Sequence, residues 1–292
     1  MTLVSENMTV PGVVGVLGGG RMGAGIAHAF LTAGSAVTVV EQNEEAAAAA
    51  WDRVMAGVDK ALSRGTVPGP RALYADRLTV ATDVSAFADA GLVVEAVPED
   101  ENLKTAALLA VEAQLAPSAW LASNTSSLSI SGLAEVLDRP ERFIGLHFFN
   151  PVPVSTLIEV VTGERTSPEL AGLAGAWVAA LGKTPIMVRD APGFASSRLG
   201  VAIAHEAIRM VEEGVASPAD IDAAMVLGSK HPVGPLRTTD IVGLDVRLGI
   251  AEHLQATLGD RFAPPQLLRD MVARGELGRK SGRGFYDWKD AS

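Results

Sequence analysis

The sequence predicts an α/β fold, a doubly wound and mostly parallel sheet followed by an all-helical domain. Three observations predict it. Between residues 12 and 189, short Val- and Ile-rich runs alternate with helical stretches. The runs are nearly continuous in hydrophobicity, as strands covered on both faces are. After residue 190 the strand-like runs stop and helical periodicity takes over.

Taken in order, GVVGVL (12–17), AVTVVE (36–41), LTVATD (78–83), LVVEAV (92–97), WLASN (120–124), RFIGLHFF (142–149), TLIEVVTG (156–163) and PIMVRD (185–190) read as strands, each bounded by turn residues. Helical patterns lie between them, for example over 22–33 and 102–115. SSRLGVAIAHEAIRMVEEG (196–214) is one amphipathic helix closed by Gly214, and Ser217-Pro218 opens the next. Pro192-Gly193 is the natural boundary. The expected plan is a flexible leader over 1–11, a nucleotide-binding α/β domain over 12–190 and a helical domain over 191–292.

Bulk properties narrow the function. The 292 residues are 48% hydrophobic and 20% charged, enough for a substantial core. The net charge of −10 argues against nucleic acid, which needs a positive footprint. With no cysteine, disulfides, thiolate metal sites and a Cys nucleophile are excluded. No HxxxH, HExxH or carboxylate cluster suggests a metal. The leader lacks the basic start and apolar core of a signal peptide. The alanine run 46–50 is closely flanked by charges and reads as helix, not membrane span. Cytoplasm is the default location.

Gly18-x-Gly20-x-x-Gly23 directly follows the first strand and opens a helix. Such glycines allow a tight turn, close approach of backbone N–H groups to a pyrophosphate, and close helix–strand packing. The positive helix end then faces the phosphates, with Arg21 and Met22 in its first turn. Eighteen residues past Gly23, at the tip of the second strand, stands Glu41. A carboxylate there can accept both ribose hydroxyls and would repel a 2′-phosphate, and Gln42 and Asn43 add no positive charge. NAD is therefore the expected cofactor on a Rossmann-type domain.

Hydride transfer from an alcohol also needs a proton acceptor, and histidine is tuned for that near neutral pH. In GLHFFNPVPVSTLIEV, His147 and Glu159 interrupt two otherwise apolar runs. The plain alternative is that each finds a core hydrogen bond. If their strands are neighbours, the carboxylate can orient the imidazole, giving a base with its orienter. SNTSSLSIS places Ser126 and Ser127 just past a strand end, where α/β sheets hold ligands. The other histidines carry less: His205, His28 and His253 read as ordinary helix residues, and His231 as a structural cap or turn.

GGGRMGAGIA, VVEAVPED, SNTSSL, GLHFFNPVPV, APGF, HPVGPL…D…GLD and GRKSGRGFY occur in this order. On these motifs the chain resembles the L-3-hydroxyacyl-CoA dehydrogenases, most closely the single-module bacterial 3-hydroxybutyryl-CoA dehydrogenases, from about residue 15 to 288. The resemblance implies that His147 is the general base, Glu159 its partner, and Ser126 a hydrogen-bond donor to the substrate oxygen. It implies that Glu99 and Lys104 contact the ribose side of the nicotinamide, that Ser126 and Asn150 line the nicotinamide pocket, and that Lys280 nears the cofactor. It implies an acyl-CoA thioester substrate, with CoA phosphates met by basic residues on a helical hairpin after the second strand. Lys60 and Arg64 stand there, and a solvated helix face is the alternative for both. It also implies that the helical domain covers the substrate cleft and pairs two subunits into a homodimer.

Two positions depart. Ser197 stands in APGFASSR where the family usually has an Asn that reaches the catalytic His. Serine is shorter and lacks the amide's paired donor and acceptor. Ser155-Thr156 replaces a more usual Met-Lys. These keep open a dehydrogenase of another hydroxy acid, or of a carrier-protein thioester, on the same scaffold. A non-catalytic NAD-binding protein is the remaining alternative; its mark would be loss of His147 or Glu159, and both are present.

Overall fold

The computed structural model describes residues 9–289. Most of the expected leader, residues 1–8, lies outside the described residues. The chain divides into two compact units, one ending at Asp190 and the other beginning at Ala191.

The first unit is built on eight strands: β1 (Val13–Leu17), β2 (Ala36–Val40), β3 (Leu78–Ala81), β4 (Leu92–Glu95), β5 (Trp120–Ser123), β6 (Phe143–Phe148), β7 (Leu157–Thr162) and β8 (Thr184–Arg189). Its helices are α1 (Arg21–Thr32), α2 (Glu44–Ser63), the short α3 (Ala72–Ala75), α4 (Glu101–Glu112), α5 (Ile130–Ala134) and α6 (Pro168–Ala180). The strands form one sheet in the order β3-β2-β1-β4-β5-β6-β7-β8. The order reverses between β1 and β4, which creates the crevice where open α/β sheets take ligands. Every expected strand is present within two residues of its expected bounds, so the doubly wound α/β fold is the one the sequence predicted.

Six of the seven neighbouring strand pairs are parallel; β6 and β7 are antiparallel, so β7 and β8 run against the other six strands. Only residues 149–156 separate them. That is too short for a parallel crossover, which takes a dozen or more residues. One sheet face carries a single large core cluster. Val14, Val16, Val37, Val39, Leu92, Val94, Ile144 and Leu146 pack with Ile26 and Phe30 of α1 and Val54 and Val58 of α2. Asn43, Asp100, Ser129 and Ser167 cap α2, α4, α5 and α6 by accepting a backbone N–H three residues on.

Two expectations are corrected. The strands were read as covered on both faces, yet β8 is an edge strand with Ile186 39% and Met187 53% exposed. The expected helical hairpin after β2 is one 20-residue helix, α2, followed by only the four-residue α3. The intervening GTVPGP carries two glycines and two prolines, which break any longer return helix.

The second unit holds α7 (Ser196–Glu212), α8 (Pro218–Ala223), α9 (Pro235–Val242), α10 (Leu244–Leu258) and α11 (Gln266–Ala273). Ile208, Ile221, Leu236, Leu244 and Leu268 form one small core, and Val201, Ala251, Leu254 and Phe262 another. The C-terminal segment is tied down by a buried carboxylate. Asp240 accepts from the Phe285 and Tyr286 backbone N–H groups and from Trp288 Nε1, at 2.9, 2.9 and 2.8 Å. A Cβ at Gly278 or Gly284 would meet Asp240 at 2.3 or 2.2 Å, which accounts for two glycines of GRKSGRGFY. Burial and Asp222, which accepts from the Tyr286 hydroxyl at 2.7 Å, push that phenol's pKa up.

Candidate active site

The site begins at the glycine turn between β1 and α1. Gly18 has φ +90°, a conformation glycine alone adopts without strain. A Cβ on Gly23 would lie 1.7 Å from the Gly18 carbonyl oxygen, and one on Gly19 would lie 2.3 Å from Ala50 Cβ. These two are glycine because protein packs against them. Gly20 differs: a Cβ there would meet nothing within 4 Å. The turn is closed from its own chain yet open at Gly20 and the start of α1, a fit for a pyrophosphate on backbone N–H groups. Glu41 follows β2 directly, and its Oε1 accepts from Gly19 N at 2.7 Å. Arg53 of α2 donates to the Gly19 carbonyl at 3.1 Å. The turn is thus held between a carboxylate and a guanidinium.

His147 and Glu159 are directly opposite each other across the antiparallel β6–β7 pair. His147 Nδ1 and Glu159 Oε2 share a 2.8 Å hydrogen bond, with the two side chains 8% and 1% exposed. The Phe149 ring packs against the imidazole, with centroids 4.3 Å apart. Asn124, just past β5, accepts from Phe148 N at 2.9 Å, clamping the end of the strand that carries His147. The reversal between β6 and β7, forced by a short loop, sets the histidine and the glutamate opposite each other on one sheet face.

A second carboxylate system lies at the ends of β4 and β5. Glu95, fully buried, accepts from Lys104 Nζ at 2.7 Å, Ser123 Oγ at 2.5 Å and Val97 N at 2.6 Å. Lys104 Nζ also donates to the Val97 carbonyl at 3.1 Å and stands 3.4 Å from Glu99. Glu99 Oε1 gathers donors from SNTSS: Thr125 Oγ1 at 2.8 Å, Ser126 N at 2.8 Å and Oγ at 3.1 Å, Ser127 N at 3.0 Å and Oγ at 2.9 Å. Burial would raise the Glu99 carboxyl, but Lys104 and these donors outweigh it and hold its pKa below the ordinary value. The structure therefore joins Glu99, Lys104 and Ser126 into one network. Sequence reasoning missed Glu95 and Ser123, its buried centre. The available signal was a lone carboxylate inside the apolar run LVVE with a lysine nine residues on.

A cleft of about 410 Å³ opens between α1, α2 and the β6–β7 connection. Arg21, His28, Arg53, Gly57 and Asn150 line it, with Pro151 and Val152. Lys60 and Arg64 do not line it; both are exposed. Arg53, Gly57, Lys60 and Arg64 nevertheless follow one stripe of α2, at spacings of four, three and four residues.

In the second unit, Ser197 is half-buried in the first turn of α7. Lys280 pairs with Asp245 at 2.5 Å. His205 was read as an ordinary helix residue and is 2% exposed, with neither ring nitrogen hydrogen-bonded among the described residues. Burial first, then Arg209 and Arg247, lower its pKa to about 4. His231 donates its backbone N–H to Met225 at the end of a helical turn. No group of three or more His, Cys, Asp or Glu among the described residues could hold a metal ion. Among them, too, no helix is long and apolar enough to cross a membrane.

Comparison with known proteins identifies the family. Residues 13–191 match the family model for the 3-hydroxyacyl-CoA dehydrogenase NAD binding domain, and residues 193–288 that for the 3-hydroxyacyl-CoA dehydrogenase C-terminal domain. The chain is 43% identical over 279 residues to a probable 3-hydroxybutyryl-CoA dehydrogenase of Deinococcus radiodurans, covering 94% of this chain and 99% of that one. It is 42% identical over 281 residues to a 3-hydroxybutyryl-CoA dehydrogenase of Mycobacterium tuberculosis, covering 94% and 98%. Among solved structures it is similar to the (S)-3-hydroxybutyryl-CoA dehydrogenase PaaH1 of Ralstonia eutropha, with TM-score 0.91, 38% identity and coverage of 96% and 99%. It is also similar to M. tuberculosis FadB2, with TM-score 0.90, 41% identity and coverage of 95% and 99%.

Proposed function

This chain belongs to the 3-hydroxyacyl-CoA dehydrogenase family, with NAD as its cofactor, and we propose that it interconverts short-chain L-3-hydroxyacyl-CoA, 3-hydroxybutyryl-CoA foremost, and the matching 3-ketoacyl-CoA. The observation that carries this reading is the buried 2.8 Å contact between His147 and Glu159 on facing strands.

When bound, NAD supplies the hydride acceptor in oxidation and NADH the donor in reduction. The protein's part is to bind, orient and move a proton. Glu159 fixes the imidazole with Nδ1 as donor, so Nε2 is the atom that takes the hydroxyl proton in oxidation and returns it in reduction. Ser126, held by Glu99, directs its hydroxyl to the substrate oxygen. Glu99, with Lys104 behind it, and Asn150 line the nicotinamide side. Gly18, Gly20, Arg21, Met22 and Gly23 take the pyrophosphate, Glu41 the adenosine ribose, and Lys280 serves the cofactor from the C-terminal unit. Lys60 and Arg64 meet the CoA phosphates at the end of the α2 stripe that starts at Arg53. Ser197 takes the position of the family's Asn, with a shorter reach.

The helical unit forms the homodimer. Leu199 and Ile203 of α7, 62% and 38% exposed, and Val246 of α10, 43% exposed, offer apolar surface of the kind subunits cover. The test of the substrate is NADH oxidation by the purified chain with acetoacetyl-CoA, acetoacetyl-carrier protein and free acetoacetate side by side. Turnover led by acetoacetyl-CoA is the expected result. Preference for either of the others, with NADH still bound, moves the substrate to another hydroxy acid or a carrier thioester.

A further inference from the structure

Residues 149–156, which join β6 to β7, set Phe149 against the His147 ring and Asn150 in the cleft wall. Their own side chains anchor them poorly. Pro151, Pro153, Val154 and Thr156 are exposed, and Val152 is the one buried residue. Val152 packs on α1, where a Cβ at Gly25 would come within 2.8 Å of it. A second hold comes from Lys183, the residue before β8. Its Nζ donates to the Val152 carbonyl at 2.7 Å and to the Ser155 carbonyl at 2.5 Å. No other donor meets either oxygen among the described residues.

An ammonium is a costly group to place there. Burial lowers the Lys183 pKa, and no carboxylate offsets it. An apolar side chain could cover the connection without that cost. It could not fix two peptide planes, which a charged donor does firmly. The position matters as well. β8 starts beside β7, with Thr184 opposite Leu157, and β7 runs back from the end of β6. Lys183 therefore stands at the sheet edge where β6 ends, two residues past His147 along that strand direction from Phe149 onward. That is the carboxyl-end edge of the parallel strands, where α/β sheets hold ligands.

We infer that Lys183 is a positioning residue for the reaction: its ammonium fixes the β6–β7 connection so that Asn150 keeps its place on the nicotinamide side and Phe149 its place on the His147 ring. This rests on the reading of the chain as an NAD-dependent dehydrogenase with His147 as the proton-transfer group. Lys183 acts only through the connection and touches neither substrate nor cofactor.

The test reads kcat for acetoacetyl-CoA reduction and Kd for NADH separately. Lys183→Met keeps the length of the side chain and removes the donors. Its kcat is expected to fall about 10- to 100-fold, the effect of a misplacement of about 1 Å. Its Kd for NADH stays within about threefold, because the glycine turn that takes the pyrophosphate is untouched. Lys183→Arg, which still donates, recovers kcat to within about fivefold of wild type. Lys183→Ala loses as much as Lys183→Met. Propylammonium added to the assay restores part of that loss, whereas tetramethylammonium, which has no N–H, restores none. If kcat of the Met and Ala variants stays within about twofold of wild type, or if neither arginine nor propylammonium restores it, the inference is overturned and the dehydrogenase reading stands. Equal losses in kcat and NADH affinity would make Lys183 a general prop of the fold and overturn it too. A wild type that binds NADH but reduces no 3-ketoacyl thioester overturns the reading and the inference together.

Discussion

Two buried carboxylates in one sheet make an instructive contrast. Glu95 ends β4 and Glu159 lies in β7, three strands along. Both are buried to within 1%, and both face a basic side chain at 2.7–2.8 Å. Glu95 meets a lysine, a side chain that only donates. Its oxygens also take a serine hydroxyl and a backbone N–H, and the lysine reaches a carbonyl and a second carboxylate. Such a network is satisfied and static. Glu159 meets an imidazole, a side chain with both a donor and an acceptor nitrogen. The same burial therefore yields a structural anchor in one place and, in the proposed function, a proton-transfer pair in the other. The partner's chemistry decides which.

Substitutions can break this contrast, and the largest effect belongs to the imidazole. His147→Ala is expected to lower kcat for acetoacetyl-CoA reduction by roughly two to four orders of magnitude, read from NADH absorbance. Next comes Lys104→Met, which leaves Glu95 buried and unpaired. It is expected to cost about 3–5 kcal/mol of stability in urea unfolding. If Lys104→Met leaves the unfolding midpoint unchanged, Glu95 is not the anchor described. Glu159→Gln keeps the shape but not the charge that orients the imidazole. A fall in kcat of roughly one to three orders is expected, with KM for NADH little changed.

The smallest effect is one of pH and lies in the helical unit. His205 is held near a pKa of about 4 against an ordinary value near 6.5. The unfolded chain therefore binds a proton between those values and the folded chain does not. Stability is fully present above pH 6.5 and is lost as pH falls toward 4. His205→Leu should flatten the thermal unfolding temperature of the helical unit over that window. An unchanged slope would mean that the ring is accessible to water and protonates freely.

The sheet was legible because its strands are continuous Val- and Ile-rich runs separated by glycine and capping residues. A run such as LTVATD identifies itself by local composition. The exposure of β8 was not legible, since PIMVRD is as apolar as its neighbours and only strand order makes it the edge. His147 and Glu159 were legible as titratable groups out of place in apolar strands. Their pairing needed the β6–β7 inversion, which the short connection 149–156 implies. Glu95 was hidden because a strand-end glutamate in LVVE looks like a polar terminus; its burial comes from Lys104 and Ser123, which arrive from other elements.

The most direct test of the central claim is a double-mutant cycle on the facing strands. Single-turnover reduction of acetoacetyl-CoA by NADH is measured for wild type, His147→Ala, Glu159→Ala and the double variant. If the two residues act as one proton-transfer unit, the double variant is no slower than His147→Ala alone, within about threefold. Losses that multiply would mean that Glu159 serves catalysis independently of His147, and the pair would not be the unit described here.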